Sequence, residues 1–496
     1  MADPTASRGD YALLGLSSLG YGCLTFVWFS VAAFLPVLTT DLGLSGTQAG
    51  LLTSVIPLVY VPCSLASGLA IDRIGAPWAI AVGLGSFGFA QFARAAAPGF
   101  PTLLALTALV GLGGTTITFG LPKLVAERFS PARSGTVSSV YLLGSYLGIA
   151  AAFGLGRAVL GPLFGGWRPV FRWSGLVVLA FALVWTVAAG RVARRHGDRR
   201  THQQAADRSR DDGRTDERGD VGERASTSDR ARTGDSATAG DGDGGGSDGD
   251  DRDRDDSNGD SDDARAAVRS VAADLQRMSS HREMRLLIVV GAMYLFLLHG
   301  LQNWLAAALE ARGSSPSLAA GMATLLIVAR AIGTVSIPPL SDALSRRRGA
   351  VIGCGALAAI GVLGLLRSGT APLFVGIAVA AVGIGLGGLG PLVRALPIEF
   401  EGVGPEFTGT AVGLIFEIGE LGGFAGPFLV GVLRDLTGSF AVGLSVFVLG
   451  GVVTALAGFA MVEPSRTDGK QTARGPRERD STNVSCGRDT RGRRSS

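Results

Sequence analysis

The sequence predicts an all-α membrane protein of twelve transmembrane helices, arranged as two pseudo-symmetric bundles of six. Three observations carry this prediction: an apolar composition, twelve long apolar segments, and a repeat that relates the two halves of the chain. Of the 496 residues, 47% are hydrophobic, only 17% are charged, and 74 are glycine. Glycine far above its usual share of about 7%, without a collagen-like period, favours close helix packing in lipid.

Each apolar segment is long enough to cross a hydrocarbon core of about 30 Å, which takes roughly 20 helical residues. In chain order the predicted spans cover residues 11–36, 48–70, 77–97, 101–123, 135–160, 169–191, 285–309, 317–340, 349–367, 371–396, 409–433 and 440–462. The first span is too long for the apolar part of a cleavable signal peptide, so we expect it to be retained as a helix.

Basic residues predict the orientation in the membrane. Arg73, Lys123, Arg346 and the arginine-rich C-terminal tail all fall on one side of the predicted spans. The positive-inside rule assigns this side to the cytoplasm. We therefore expect a multi-pass protein of the plasma membrane whose N-terminus (1–10) and basic, disordered tail (463–496) are both cytoplasmic.

The chain between the sixth and seventh spans has a different composition. Residues 196–264 include the run DGDGGGSDGDDRDRDDSNGDSDD and almost no large apolar side chains, so we predict a disordered acidic cytoplasmic linker. Residues 265–284 regain helical periodicity and are expected to lie as an amphipathic segment along the membrane surface. The two six-helix bundles then occupy residues 11–195 and 285–462.

The two halves repeat each other's motifs. Pro131 and Pro405 each precede a Gly-Thr pair by four residues, at the start of the fifth span of their half. Asp72 follows the second span of the first half, and Asp342 follows the second span of the second half. Their separation along the chain is nearly that of the two Gly-Thr pairs. Two six-helix repeats joined by a long loop are typical of a transporter whose halves rock about a site near the membrane midplane.

A motif after the second span carries a family resemblance. The residues Gly68-x3-Asp72-Arg73-x-Gly75 resemble the cytoplasmic loop motif of the major facilitator superfamily, and the likeness extends over all twelve spans, including GWRPVF at 166–171. The resemblance implies that Asp72 caps a neighbouring helix N-terminus and pairs with arginine, as a latch of the outward-facing state. A carboxylate at a helix N-terminus is favoured by the helix dipole and the free N–H groups.

The second copy of this motif departs from the pattern. Pro338 replaces its first glycine, and the stretch from Ser345 to Arg348 replaces the glycine-basic ending. We assign Asp342 and Arg346 to the same gating role, with a smaller expected effect than Asp72.

Polar residues inside the spans indicate where a solute binds. The central stretches of the sixth, ninth and twelfth spans contain no ionisable residue, as expected of helices that face lipid. The predicted substrate-binding residues are Tyr21, Thr25 and Trp28 in the first span, His299, Gln302 and Asn303 in the seventh, and Arg330 in the eighth. Helical spacing places each set on one face, and the resemblance implies a central cavity there. Hydrogen bonds or packing between helices are the alternative for the residues of the first span.

The eleventh span carries two carboxylates, Glu417 and Glu420, three residues apart. They are predicted to point the same way, and two buried like charges disfavour joint ionisation. We therefore predict that one carboxylate pairs with Arg330 while the other stays protonated and serves proton coupling. The alternative is a static ion-pair network between the eighth and eleventh spans.

The predicted function is secondary active transport by alternating access, coupled to protons, of a small anionic solute. Arg330 suits an anion, and residues 120–148 resemble superfamily carriers of cyanate, nitrate or organic anions. The second span lacks the arginine usual in nitrate carriers. The alternatives are proton-driven efflux of amphiphilic or cationic compounds, which the buried glutamates would suit, and a non-transporting receptor.

No enzyme class is indicated. The sequence has no P-loop, dinucleotide fingerprint or metal-ligand cluster, and its four cysteines are scattered. We expect no catalytic residue, cofactor, metal or nucleic-acid partner. The expected partners are a small-molecule substrate, a coupling proton and the lipid bilayer, with the monomer as the functional unit.

Deletion of residues 200–260 is expected to leave the twelve-helix core and its solute site intact, because a disordered chain contributes no packed surface. About 20 residues of linker must remain, since the sixth span ends and the seventh begins on the same side. Thermal unfolding and solute binding of the purified protein check this. A deletion variant that fails to fold would show that the linker is structural.

Overall fold

The computed structural model describes residues 8–130, 134–191, 281–399 and 408–463. Within these ranges twelve helices are long and apolar enough to cross a membrane, which confirms the predicted fold class. We number them α1 (Arg8–Ala33), α2 (Gly46–Ile74), α3 (Ala76–Arg94), α4 (Phe100–Arg128), α5 (Ser134–Ala151), α6 (Trp167–Arg191), α7 (Arg282–Ala311), α8 (Pro316–Leu344), α9 (Arg347–Arg367), α10 (Pro372–Glu399), α11 (Thr408–Thr437) and α12 (Phe440–Ala460). The predicted linker, most of the juxtamembrane segment and nearly all of the tail lie outside the described residues, as do Pro131 and Pro405.

Two helices have short extensions. A seven-residue helix, Leu35–Asp41, follows α1, and α5 continues through a π-helical stretch, Ala152–Leu160, into the short helix Gly161–Phe164. The π-helical stretch packs against both α1 and α8. It therefore lies where the two halves of the protein meet.

Local sequence explains several helix ends. Ser45 caps α2, accepting a hydrogen bond from the Gln48 N–H at 3.1 Å, while the Gln48 side chain accepts one from the Ser45 N–H at 3.0 Å. At the other end of α2, Gly75 has a φ of +84° and starts α3 at once. Ser345 holds the corresponding position between α8 and α9 with a φ of +51°. Only a residue with positive φ lets these helix pairs join without a longer loop, and glycine does so at the lowest cost.

The packing of helices repeats between the halves. In the first half α1 packs on α5, while α4 packs on α2 and α3; in the second half α7 packs on α11, while α10 packs on α8 and α9. The halves meet along α2 with α11 and along α5 with α8. This symmetry agrees with the motif repeat in the sequence.

Glycine brings the helices of each main pair into backbone contact. A side chain at Gly148 on α5 would overlap the carbonyl oxygen of Gly22 on α1, and one at Gly422 on α11 would overlap the carbonyl oxygen of Ala292 on α7. Gly148 and Gly422 occupy equivalent places in the two halves. Close approach of this kind is how helices gain contact in lipid, where the hydrophobic effect does not drive them together.

The helices predicted to face lipid have apolar outer faces. Leu183 on α6, Ile360 on α9 and Phe459 on α12 are exposed to 71%, 65% and 67%. Exposed side chains of this size are stable when the surrounding medium is hydrocarbon. These three helices thus form the outside of the bundle.

We call the two ends of the bundle the terminal face and the far face. The terminal face is the one at which α1 begins and α12 ends, and the far face is the one at which α1 ends and α2 begins. The positive-inside rule predicts that the terminal face is cytoplasmic.

Replacing Gly422 with alanine is expected to lower the melting temperature of the detergent-purified protein by several degrees, because the new methyl group forces α11 away from α7, at about 1–3 kcal/mol. Gly413→Ala is the matched control, since a Cβ there would meet no atom within 4 Å. The control should be neutral or stabilising because alanine favours helix more than glycine does. Equal melting temperatures for the two variants would contradict the proposed contact.

Candidate functional site

An aromatic contact joins the two halves near the middle of the bundle. The indole of Trp28 on α1 stacks on the imidazole of His299 on α7, with ring centroids 5.6 Å apart and planes 14° from parallel. The Trp28 ring also lies 5.3 Å from that of Tyr60 on α2. Two of the predicted binding residues, one from each half, therefore touch at the centre.

A carboxylate on α11 adjoins this aromatic contact. His299 Nε2 and Glu420 Oε2 are 3.8 Å apart, which is too far for a hydrogen bond. Trp28 Nε1, His299 Nδ1 and Glu420 Oε2 have no hydrogen-bond partner among the described protein atoms. Buried polar atoms usually have partners, so this group is suited to receive a proton or a ligand.

The two glutamates of α11 face different neighbours. Glu417 is exposed and accepts a hydrogen bond from the Ser64 hydroxyl of α2, in the other half. Glu420 lies beside His299 on α7. The two carboxylates meet different partners because α11 lies between α2 and α7 and packs on both.

Arg330 lies at the centre of the second half without the glutamate partner that we predicted for it. Its Nη1 donates a hydrogen bond to Gln302 Oε1 on α7 at 2.9 Å, and its guanidinium lies over the ring of Tyr146 on α5, 4.7 Å from the centroid. The side chain is 9% exposed. Within the described ranges no carboxylate pairs with it, so this positive charge is held only by neutral groups.

A second arginine, Arg394 on α10, was missed by the sequence analysis. Its Nη1 donates to the Gly390 carbonyl at 2.9 Å, and its guanidinium lies 4.1 Å from the centroid of the Phe416 ring. A Cβ at Gly390 would lie 2.9 Å from the Tyr294 hydroxyl and 3.5 Å from Arg394 Nη1. The hydroxyl and the guanidinium thus flank one gap between α7 and α10, and no described carboxylate pairs with Arg394.

The sequence contained the signal for Arg394. It is a lone arginine in an apolar span, which is the argument that singled out Arg330. Its position near the end of the tenth span made it resemble a residue of the membrane boundary. The structure shows it exposed, on the same gap as the Tyr294 hydroxyl.

Three other predicted binding residues make contacts between or within helices. The Thr25 hydroxyl donates to the Ser145 carbonyl of α5 at 2.9 Å, and Asn303 Nδ2 donates to the His299 carbonyl one turn earlier at 2.7 Å. The ring of Tyr21 lies 6.1 Å from that of Tyr141 on α5. These contacts agree with the helix-packing alternative for Thr25 and Tyr21.

The two aspartates predicted to act in gating, Asp72 and Asp342, pair within their own halves. Asp72, 67% exposed, forms an ion pair with Lys123 on α4. Asp342 pairs with Arg347 on α9 at 2.7 Å, and Arg347 also pairs with Glu399 on α10 at 2.8 Å.

Among the described residues, Asp72 makes no contact with the N-terminus of a neighbouring helix. Its partner is a lysine, whereas the resemblance implies an arginine. Arg73 and Arg346 are exposed. A Cβ at Gly68 would meet no described atom within 4 Å, so none of the described helices covers the start of the motif. Residues 400–407, just before α11, lie outside the described ranges.

The far face is held closed by polar contacts between the halves. The carboxylate of Asp435 on α11 accepts hydrogen bonds from the backbone N–H groups of Gly46 and Thr47 on α2. Arg157, in the π-helical stretch that follows α5, pairs with Glu310 of α7 at 3.2 Å. At the terminal face the described charged pairs stay within one half, so the charged contacts between the halves lie at the far face.

The fold and this site define a polytopic membrane transporter with a polar cavity between two six-helix halves. Residues 17–427 match the Major Facilitator Superfamily, and the chain belongs to that family. The predictions that the protein is a transporter of this family and not an enzyme are confirmed.

Matches to individual relatives cover a smaller part of the chain than the family match does. The chain is 31% identical over 160 residues to the hexuronate transporter of Bacillus subtilis, covering 32% of this chain and 36% of that protein. It is 29% identical over 176 residues to the quinolone resistance transporter of Acinetobacter baumannii, covering 34% and 39%. The matches thus span little more than a third of each relative.

A solved structure shares the fold. The crystal structure of a bacterial homologue of the human lysosomal transporter Spinster, inward-facing and unoccupied, aligns with a TM-score of 0.63 at 17% identity. The alignment covers 92% of this chain and 96% of that one. At this identity the likeness establishes the fold alone.

Proposed function

We propose that this protein carries small organic anions across the plasma membrane by alternating access, in a cycle coupled to protons. The observation that carries the proposal is the pair of guanidinium groups, Arg330 and Arg394, that the second half holds without any described carboxylate partner. The proposal takes the terminal face as cytoplasmic, which makes the present conformation inward-facing, and the monomer as the functional unit.

Charge is the first argument for an anion. An ionisable group within a membrane is costly unless it is compensated or faces a water-filled cavity. Gln302 and the face of the Tyr146 ring stabilise the Arg330 guanidinium only partly. A bound carboxylate would complete its hydrogen bonding in the bidentate geometry that guanidinium favours.

The neighbours of the arginines suggest a hydroxylated anion. The Tyr294 hydroxyl flanks the same gap as Arg394, and the Gln302 Nε2 has no partner among the described atoms. Both can bond to solute hydroxyl groups. The hexuronate transporter of B. subtilis, one of the relatives, is named for a solute that combines a carboxylate with hydroxyls.

The carboxylates of α11 support the coupling of anion transport to protons. An ionised Glu420 beside His299 would repel an anion in the same cavity, and a proton bound there would remove that repulsion. Anion and proton then favour each other's binding, as linkage requires. Glu417, which contacts Ser64 on α2 in this conformation, connects the same helix to the first half.

Export of amphiphilic or cationic compounds remains the second candidate. The Tyr60 ring packs against Trp28, Trp28 stacks on His299, and His299 adjoins Glu420. Aromatic faces with a nearby carboxylate can hold an organic cation. The quinolone resistance transporter of A. baumannii is among the relatives.

A thermal-shift screen of the purified protein tests the anion site, because a ligand of the folded state raises its melting temperature. Glucuronate and tartrate are the anionic probes, and tetraphenylphosphonium is the cationic probe. We expect stabilisation by an anion, and a loss of at least tenfold in its apparent affinity for Arg330→Gln and Arg394→Gln, since a charge-assisted hydrogen bond contributes about 1.5–3 kcal/mol.

Arg367→Gln provides the matched control, because it removes an exposed arginine at the end of α9 in the same half. Its affinity for the anion should equal that of the wild type. Stabilisation by the cation alone would replace the anion proposal with export.

Proton coupling has a separate test. In proteoliposomes, Glu417→Gln and Glu420→Gln should each abolish the stimulation of uptake by an imposed pH gradient, because neither amide can carry the coupled proton. Both variants should fold, as judged by size-exclusion chromatography. Glu463→Gln, at the terminal face beyond α12, is the control and should keep the stimulation. Unchanged pH dependence in both α11 variants would rule out this coupling site.

A further inference from the structure

The two helices that join the halves, α2 and α11, each carry an aspartate in their last turn. Asp72 is the third residue from the end of α2, and Asp435 is the third residue from the end of α11. The dipole of a helix disfavours a negative charge at its own C-terminal end. Each aspartate is therefore stabilised mainly by partners outside its helix.

Asp435 has such partners in the opposite half of the protein. Its Oδ1 accepts a hydrogen bond from the Gly46 N–H at 2.6 Å, while its Oδ2 accepts from the Thr47 N–H and the Thr47 hydroxyl, both at 2.7 Å. Ser45 already caps the Gln48 N–H. The Asp435 carboxylate thus binds the first two helical N–H groups of α2, which no group in α2 itself can satisfy.

Glycine makes this contact possible. A side chain at Gly46 would overlap the Asp435 carboxylate and the Gly431 carbonyl, and a side chain at Gly431 would overlap the Gly46 carbonyl. The backbones of α2 and α11 therefore touch beside the hydrogen bonds. The ion pair of Arg157 with Glu310, 3.2 Å long and largely shielded from solvent, joins the halves at the same face.

Asp72 differs from Asp435 in the half of the protein that supplies its partner. At the other end of the same helix pair it is 67% exposed, and it pairs with Lys123 of its own half. About 40 Å of helix separates the two ends at 1.5 Å per residue. When rigid halves rock about a central site, contact at one end of so long a pair requires separation at the other.

We propose that Asp435 is a gating residue of the far face. The C-terminal aspartate of α11 binds the N-terminus of α2 in the other half. This contact stabilises the state in which the far face is closed, whatever solute is carried.

The test measures the opening of the far face directly. Spin labels at Thr40 and Ser317, exposed far-face positions in different halves, report their separation by pulsed electron resonance in full-length, cysteine-free protein in nanodiscs. Asp435→Asn should raise the ratio of far-face-open to sealed molecules about tenfold, equivalent to about 1.4 kcal/mol.

Asp41→Asn is the matched control. Asp41 is an aspartate of the far face that accepts a hydrogen bond from the Trp167 indole within its own half, at 2.8 Å, so its loss should leave the label distances unchanged. A shift of the same size in this control, or no shift or further sealing for Asp435→Asn, would overturn the proposal.

Two further variants keep the test decisive if Asp435→Asn does not fold. Thr47→Val removes one of the three hydrogen bonds to Asp435, and Arg157→Gln removes the neighbouring ion pair. Both should shift the ratio in the direction of opening, by less than tenfold, and unchanged ratios in both would count against the proposal. The outcome is independent of the anion site, because the label distances are measured without solute and none of these variants removes Arg330 or Arg394.

Discussion

Where α2 of the first half crosses α11 of the second, Gly46 and Gly431 bring the two backbones so close that a side chain at either position would collide with the other helix. A contact without side chains can separate at low cost, because it interlocks no large groups. Within each half, by contrast, α5 and α11 pack on α1 and α7 along several consecutive turns through glycines that include Gly148 and Gly422. The contact between α2 and α11, together with that between α5 and α8, places the two halves relative to each other.

The same arrangement explains the distribution of charge. Hydrocarbon excludes ionised groups from the outer helices, and Arg330 and Glu420 lie where the second half meets the first. In the second half the cations lie on α8 and α10 and the carboxylates lie on α11. α7 lies between these sets, with Gln302 directed to Arg330 and His299 directed to Glu420. An anion and a proton could thus occupy separate places on either side of one helix while still sensing each other's charge.

Individual residues show how far sequence reasoning reached into the site. Trp28, His299 and Arg330 stood out as large polar groups in apolar spans, and the structure brings them to the centre. Arg394 carried the same signal but lay near a span boundary. The predicted ion pair of Arg330 with a glutamate failed for another reason. Three-residue spacing fixes the angle between two side chains on α11, but the neighbour that each one meets depends on how the helix is rotated between α2 and α7.

The sequence by itself determined the fold class, the twelve spans and the twofold repeat, because hydrocarbon imposes length and apolarity on each span separately. It also placed the gating motifs, since Gly75 and the aspartates near it are defined by their order along the chain. Only the tertiary structure decided the partners of these charges: Lys123 for Asp72, and the N-terminus of α2 for Asp435. The physical reason is that ion pairs and helix caps between halves depend on distances across the bundle, and a rocking protein exchanges those distances while its sequence stays the same.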